Sequence, residues 1–255
     1  MANGAKRPRW CLISGGSGGV GGALCLALAA DGWDVALTYR SNRERAEEVG
    51  EAVRAAGRQA SVHQLDLTDE AATAAMVAEV GWGEPLHGVV SAAGPEIKVG
   101  YASETAPSLF REQILGDTVA AYNLLQPSIA RLRETRGAIL AVTTPGIRRV
   151  VKKHVLSAPP KAAIEAFVRA IAVEEGRNGI RANSLGIGLI EDGVWDSMTA
   201  QGHYNEVTLA TARREIALGT LGRAGDVAAM GAFLMSDAGS WISGQTVDVD
   251  GGYTI

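Results

Sequence analysis

A doubly wound α/β fold, one mostly parallel sheet with helices on both faces, is predicted by three features of this sequence. Short apolar runs alternate with longer amphipathic segments along the whole chain. Strands separated by helices need crossover connections, which make a sheet parallel and cover both of its faces. A glycine-rich turn joins the first apolar run to the first helical segment, and no repeat, low-complexity run or linker interrupts the 255 residues. Residues 1–255 therefore read as a single domain, a length common for α/β domains.

The elements follow in order. Trp10–Ser14 reads as a strand and Val20–Ala30 as a helix; Asp34–Tyr39 is a strand and Arg43–Ala56 a helix with its charges on one face. Ala60–Leu65 is a strand, Glu70–Val80 a helix, Leu86–Ala92 a strand and Phe110–Arg133 one long helix. Ala138–Thr143 is the fifth strand, Lys161–Glu175 a helix, Ile180–Leu185 the sixth strand, Ala224–Met235 a helix and Thr246–Val249 the last strand. Runs of four to eight apolar residues bounded by turn formers carry the strand assignments, and 3.6-residue periodicity carries the helices. The polar, irregular stretch Glu191–Thr211 follows the sixth strand and reads as a lid, because long loops in compact domains tend to be functional.

Composition narrows the function. With 47% hydrophobic residues the chain can bury one large core, and a formal net charge of −4 supplies no basic surface for nucleic acid or an anionic membrane. No stretch approaches the ~20 apolar residues of a membrane span, and Met1–Arg9 lacks the apolar segment of a signal peptide. Lys6, Arg7 and Arg9 read as a solvated terminus. The two cysteines, Cys11 and Cys25, match no metal-ligand or disulfide spacing and read as buried thiols of a reducing compartment. A cytoplasmic protein with a small-molecule substrate and no metal is expected.

The turn Ser14-Gly15-Gly16-Ser17-Gly18-Gly19-Val20-Gly21-Gly22 lies between a strand and an apolar helix. Glycines let the chain turn sharply and let backbone approach a pyrophosphate, whose charge a helix N-terminus favours. In this context the turn marks a Rossmann-type dinucleotide site. The second strand runs out through Tyr39-Arg40-Ser41-Asn42. An acid at its end would bind a ribose 2′-hydroxyl, whereas a cation accommodates a 2′-phosphate. Arg40, with Ser41 and Asn42 beside it, therefore points to NADP(H).

With these residues the chain resembles the short-chain dehydrogenase/reductases over nearly its whole length. Ser14-Gly15-x-x-x-Gly19-x-Gly21 has that family's glycine spacing, which brings Ser17 and Val20 into the cofactor set. Asp66-Leu67 resembles its adenine-contacting pair. Ser91-Ala92-Ala93-Gly94 resembles the strand end that flanks the cofactor. Asn183 through Ile190, including Gly188, resembles the stretch that contacts the nicotinamide amide, with Ile187 in place of a proline. Gly244-Gln245-Thr246 through Asp250-Gly251-Gly252 resembles the C-terminal strand. The resemblance implies a reductase of a carbonyl or activated C=C, with some likeness to the enoyl-thioester reductase branch. The long helices Phe110–Arg133 and Lys161–Glu175 resemble the family's pairing helices and imply a homotetramer or homodimer.

The catalytic region departs from that pattern. The family uses a tyrosine acid, a lysine that lowers its pKa and binds the nicotinamide ribose, and a hydroxyl residue on the fifth strand. Lys161 matches the lysine, and Thr143 and Thr144 fall where the hydroxyl belongs, Thr144 the closer. No tyrosine is present: Ser157 stands four residues before Lys161, and His154 stands seven before it, the spacing of the enoyl-reductase branch. Serine is a far weaker acid than a phenol, whereas histidine is a good general acid. His154 also reads simply as a solvated member of the basic run Arg148-Arg149-Val150-Val151-Lys152-Lys153. That run reads either as a solvated loop or as a surface for an anionic substrate, such as a coenzyme A or carrier-protein thioester or a carboxylate. In Ser157-Ala158-Pro159-Pro160-Lys161 the prolines predict a helix starting at Pro159 or Pro160. A capping hydroxyl on Ser157 would find no N–H at either proline. Gly116-Asp117 falls near the family's helix-four asparagine. The alternative to a reductase is a catalytically silent, NADP(H)-binding regulatory protein. Of the remaining tyrosines, Tyr204 stands out because it lies in the expected lid.

Overall fold

The computed structural model describes residues 9–81, 83–96, 98–192, 199 and 205–255. Seven strands form one sheet: β1 Arg9–Ser14, β2 Trp33–Tyr39, β3 Ala60–Gln64, β4 Leu86–Ser91, β5 Ala138–Thr143, β6 Arg181–Ile187 and β7 Thr246–Val249. Their order is β3-β2-β1-β4-β5-β6-β7, and every neighbouring pair is parallel. The winding reverses between β1 and β4, so a crevice opens at the carboxyl ends of those two strands, where ligands of open α/β sheets sit.

Eight α-helices lie among the described residues: α1 Gly19–Ala30, α2 Arg43–Ala55, α3 Glu70–Glu79, α4 Pro107–Ile114, α5 Ala120–Thr135, α6 Ala158–Glu175, α7 Glu206–Glu215 and α8 Ala224–Met235. The alternation of β1 decides the layers. Cys11 and Ile13 join a core with Leu24 and Leu28 of α1, Val49 and Val53 of α2, and Val227 and Leu234 of α8. Trp10 and Leu12 join the opposite core, with Val77 of α3, Leu124 and Leu132 of α5, and Ile164 and Val168 of α6. Burial on both faces is why the strand sequences are nearly continuous apolar runs.

Three expectations need correction. The single helix over Phe110–Arg133 is two helices joined by a π turn, Leu115–Val119, and the whole begins at Pro107 and ends at Thr135. Helical bonding continues through a π turn with no helix breaker to mark it, so the sequence reads as one uninterrupted helical segment. Helix α6 starts one residue before the expected prolines, at Ala158, because Pro159 and Pro160 fit together in its first turn. Within the presumed lid, residues from Glu206 onward are helical, held by a capping box between Asn205 and Thr208. Tyr204 lies outside the described residues, as do Lys6 and Arg7.

Smaller shifts have equally local causes. β4 stops at Ser91 because the N–H groups of Ala92 and Ala93 turn to the Ser14 hydroxyl. β6 extends to Ile187 because Gly186 and Ile187 pair with Asp248 and Val249 of β7.

Candidate functional site

At the crevice, the glycine turn and the end of β4 form one surface. Gly15 takes φ +71°, and a Cβ there would lie 2.8 Å from the carbonyl oxygen of Ala92 and the nitrogen of Ala93. Ser14 is fully buried, and its hydroxyl accepts from the N–H groups of Ala92 (3.1 Å) and Ala93 (3.2 Å). Its side chain thus fixes Ala92, Ala93 and Gly94 against the turn. The Gly16 N–H donates to Thr38 O and the Gly18 N–H to Gly15 O, both at 2.9 Å. A Cβ on Gly21 would collide with the Gly15 carbonyl, so the turn through Ser17, Gly19 and Val20 closes only with glycine there. Gly18 caps α1 without any side-chain bond, and the first turn of the helix carries no acidic residue. Its leading N–H groups are left for an anion.

The end of β2 lies beside this turn. Tyr39 is buried, Arg40 and Ser41 are exposed, and the Asn42 side chain is committed to capping α2 by accepting from Arg45 N at 3.0 Å. Asp66 Oδ1 accepts from the Thr68 N–H (2.9 Å) and hydroxyl (2.8 Å). These two bonds, with a smaller contribution from the Arg40 charge, hold its carboxyl below the usual range. Leu67 and Ile190 are buried core side chains, which leaves only their backbone for a ligand. The Gly188 N–H donates to Val249 O at 3.0 Å.

The reacting end is built by β5, the π turn and α6. Lys161 Nζ donates to Asp117 Oδ1 at 2.7 Å, with Asp117 only 3% exposed. A Cβ placed on Gly94 would lie 3.5 Å from Lys161 Nζ and 3.6 Å from Asp117 Oδ1, so the pair abuts the β4 end. Of the two candidate hydroxyls, Thr143 is buried and donates to Glu165 Oε1 at 2.9 Å. Thr144 is half-buried and accepts from the Gly146 N–H at 3.2 Å. Ser157 is the N-cap of α6 and makes no side-chain capping bond, as two prolines at the following N2 and N3 positions require. His154 is half-buried and bridges Gly100 in the segment after β4. The Gly100 N–H donates to Lys153 O at 2.9 Å.

The basic run is neither a free solvated loop nor a free anion surface. Arg148 donates to both carboxylate oxygens of Asp248 on β7 and, at 3.2 Å, to the buried Glu165 on α6. Arg149 stacks 4.3 Å from the Tyr253 ring centroid and donates to Tyr253 O at 2.5 Å. Lys153 lies 4.9 Å from the centroid of Tyr101. Three of the four cations are thus engaged within the protein, and Lys152 is left exposed. Sequence reasoning placed Asp117 only near the helix-four asparagine position and missed its pairing with Lys161, as it missed Glu165 and this use of Arg148. Glu165 had a signal, since it lies one helical turn beyond Lys161 and so on the same face.

A seven-stranded parallel sheet with a glycine turn at its switch point defines a Rossmann-type α/β protein. A family model described as enoyl-(acyl carrier protein) reductase matches residues 15–254. The chain belongs to the short-chain dehydrogenase/reductase family and is an oxidoreductase of that type. It is 29% identical to versicolorin reductase 1 of Aspergillus parasiticus over 247 residues, 94% of each chain. It is also 29% identical to the 3-oxoacyl-(acyl-carrier-protein) reductase FabG of Staphylococcus aureus over 264 aligned positions, 97% of this chain and 98% of that one. A blue fluorescent protein from a metagenomic library, solved in complex with NADPH, superposes with a TM-score of 0.86 at 28% identity, covering 97% and 98% of the two chains. Among the described residues no helix is long and apolar enough to cross a membrane.

Proposed function

We propose that this protein is an NADPH-dependent reductase of a carbonyl or an activated C=C in a small molecule. The observation that carries the cofactor half is the first turn of α1, which has no side-chain cap and no acid, beside an exposed Arg40 with no acid at the end of β2. That donor set suits a pyrophosphate and a 2′-phosphate. Ser17, Gly19 and Val20 hold the first, and Arg40 and Ser41 the second. Asp66 and Leu67 flank the adenine, Ala92 to Gly94 line the dinucleotide, and Gly188 and Ile190 offer backbone to the amide. When bound, the nicotinamide supplies the hydride. Lys161 holds the ribose, Thr144 orients the substrate oxygen, and His154, three residues before the α6 N-cap Ser157, supplies the proton.

Losing the phenol is tolerable on this reading. Orientation of two reactants contributes ~7–11 kcal/mol, whereas general acid catalysis typically contributes ~10²–10⁴-fold. Conjugate reduction suits the site best, since an enolate can be held by hydrogen bonds and protonated later. An acyl thioester is the substrate class supported by the family model and by the FabG relative, with exposed Lys152 available to its phosphate. The 1–255 chain acts as one dinucleotide-binding domain, in the cytoplasm, where its two thiols stay reduced. It pairs with further copies through α5 and α6, whose outer face carries the Tyr122 and Phe167 rings, tilted at 37° with 4.7 Å between centroids. The absent phenol favours the second reading, a silent NADP(H) sensor.

Fluorescence titration tests the cofactor. NADPH should bind more tightly than NADH, and Arg40→Asp should erase or reverse the gap; equal affinities in the unmodified protein sink the 2′-phosphate assignment. A panel of ketones, enones and acyl thioesters tests the chemistry. Turnover that falls in His154→Phe with NADPH affinity retained supports the proton role. Tight NADPH binding with no oxidation by any substrate makes the sensor the correct reading.

A further inference from the structure

Thr143 of β5, Gly186 of β6 and Asp248 of β7 are direct neighbours across the sheet, so their side-chain positions share one face. The row lies at the carboxyl edge, just short of Thr144 and Gly188. Its middle member has no side chain. Gly186 does not take a positive φ, so the backbone alone does not call for glycine there. Space does: a Cβ on Gly186 would collide with the Asp248 carboxylate and lie 2.7 Å from Arg148 Nη2. The Arg148 guanidinium occupies this gap. It donates to both oxygens of Asp248, to both oxygens of the buried Glu165 on α6 at 3.2 Å, and to Thr144 O at 3.4 Å. Glu165 Oε1 in turn accepts from the Thr143 hydroxyl at 2.9 Å. One planar fork thus ties β7, the end of β5 and α6 together over β6, a set of partners that suits fixed, coplanar donors and not an ammonium.

We propose that Arg148 is a positioning residue of the reacting end, and that position 186 is glycine in order to seat it. The guanidinium fixes the edge of β5, β6 and β7, so that Thr144 and the backbone from Gly188 to Ile190 meet the substrate oxygen and the nicotinamide amide in one arrangement. The proposal rests on the reading that the nicotinamide end of a dinucleotide lies at this edge. Arg148 itself contacts neither substrate nor cofactor and acts through Thr144 and Gly188. A reacting group displaced by about 1 Å can lose about a hundredfold in rate. Groups carried just past a strand end therefore need support from the layer beneath them, and here that layer is ionic.

Two ligands separate positioning from a merely structural role. Gly186→Ala turns the Asp248 carboxylate away from Arg148 and leaves the strands paired, because only side-chain ends must move. It should weaken NADPH about fivefold, the scale of one hydrogen bond to the amide. It should leave 2′,5′-ADP, which lacks the nicotinamide half, unchanged. Arg148→Gln and Asp248→Ala should match it on both ligands. In the Asp248→Ala background, Gly186→Ala should cost NADPH nothing further, since the added methyl then fills vacated space. If Gly186→Ala does not fold, Asp248→Asn replaces it and carries the same two-ligand expectation. Equal weakening of both ligands, unchanged NADPH affinity, or losses that add in the double variant overturn the positioning role while the cofactor reading stands. An unmodified protein that binds 2′,5′-ADP and NADPH equally well puts the amide contact in error, and the inference falls with it. If it binds neither ligand, the cofactor reading fails and this inference fails too.

Discussion

Gly15 combines a left-handed backbone with a neighbour where its side chain would be, and so makes two demands that only glycine meets. Gly15→Ala should lower stability by about 2 kcal/mol or more, combining the cost of φ +71° with a Cβ 2.8 Å from Ala92 O. Urea denaturation checks this, and an unchanged midpoint means the turn has another route. Ser157→Ala should cost less than an ordinary cap substitution. Removing a serine cap typically costs ~1 kcal/mol, but this one bonds neither Pro159 nor Pro160, so the loss should stay under ~0.5 kcal/mol. A larger loss points to a partner for the hydroxyl. The glycines and the prolines were legible because each imposes a backbone rule on its own neighbours. Asp117 was marked only by the family resemblance; its pairing with Lys161 was not legible, because the partner stands 44 residues away and no local pattern links the π turn to α6. Ser14 was legible as part of the turn, but not as the acceptor that anchors β4.

Helix α6 ends on a charge arrangement that makes its stability depend on pH. Two hydrogen bonds from Arg133 of α5, then one from Asn178, hold the Glu175 carboxyl down to about 2. A depressed folded pKa means the contribution is fully present above the unfolded value of ~4.3 and is lost as pH falls toward about 2. Melting temperatures of the unmodified protein and Glu175→Gln should differ most at neutral pH and converge between pH ~4.5 and ~2. Parallel curves across that window mean the ion pair does not form in solution. Arg133 is half exposed, so salt should shrink the difference. At this scale the sequence located all seven strands and most of the helices, since burial on two faces writes itself as continuous apolar runs. The break between α4 and α5 escaped because a single extra residue in a helix changes geometry without changing composition.

For the molecule as a whole, the charged residues after β5 join parts that are far apart in sequence. Arg148 ties its loop to β7 and α6, and Arg149 ties it to the C-terminal turn at Tyr253. Arg148→Ala takes the paired cation from Asp248 and leaves Glu165 only its longer ion pair with Arg169, at 3.8 Å, and should lower stability by about 2 kcal/mol, below the full cost of breaking a buried pair because Arg148 is one-third exposed. Arg148→Ala with Glu165→Gln should recover part of that loss; no recovery assigns the effect to packing. The core holds one more consequence. Cys11 on β1 and Cys25 on α1 are both fully buried in the same layer, and burial pushes both thiols up, away from the reactive thiolate. A thiol reagent reaches them only when strand and helix part, which makes the chain its own clock for opening at the nucleotide turn. A ligand seated on that turn must slow the clock by mass action, about a hundredfold at a hundred times its dissociation constant. Labelling rates read by mass spectrometry then rank candidate ligands without any assay of turnover, and would register a bound effector of a silent sensor as readily as the cofactor of an enzyme.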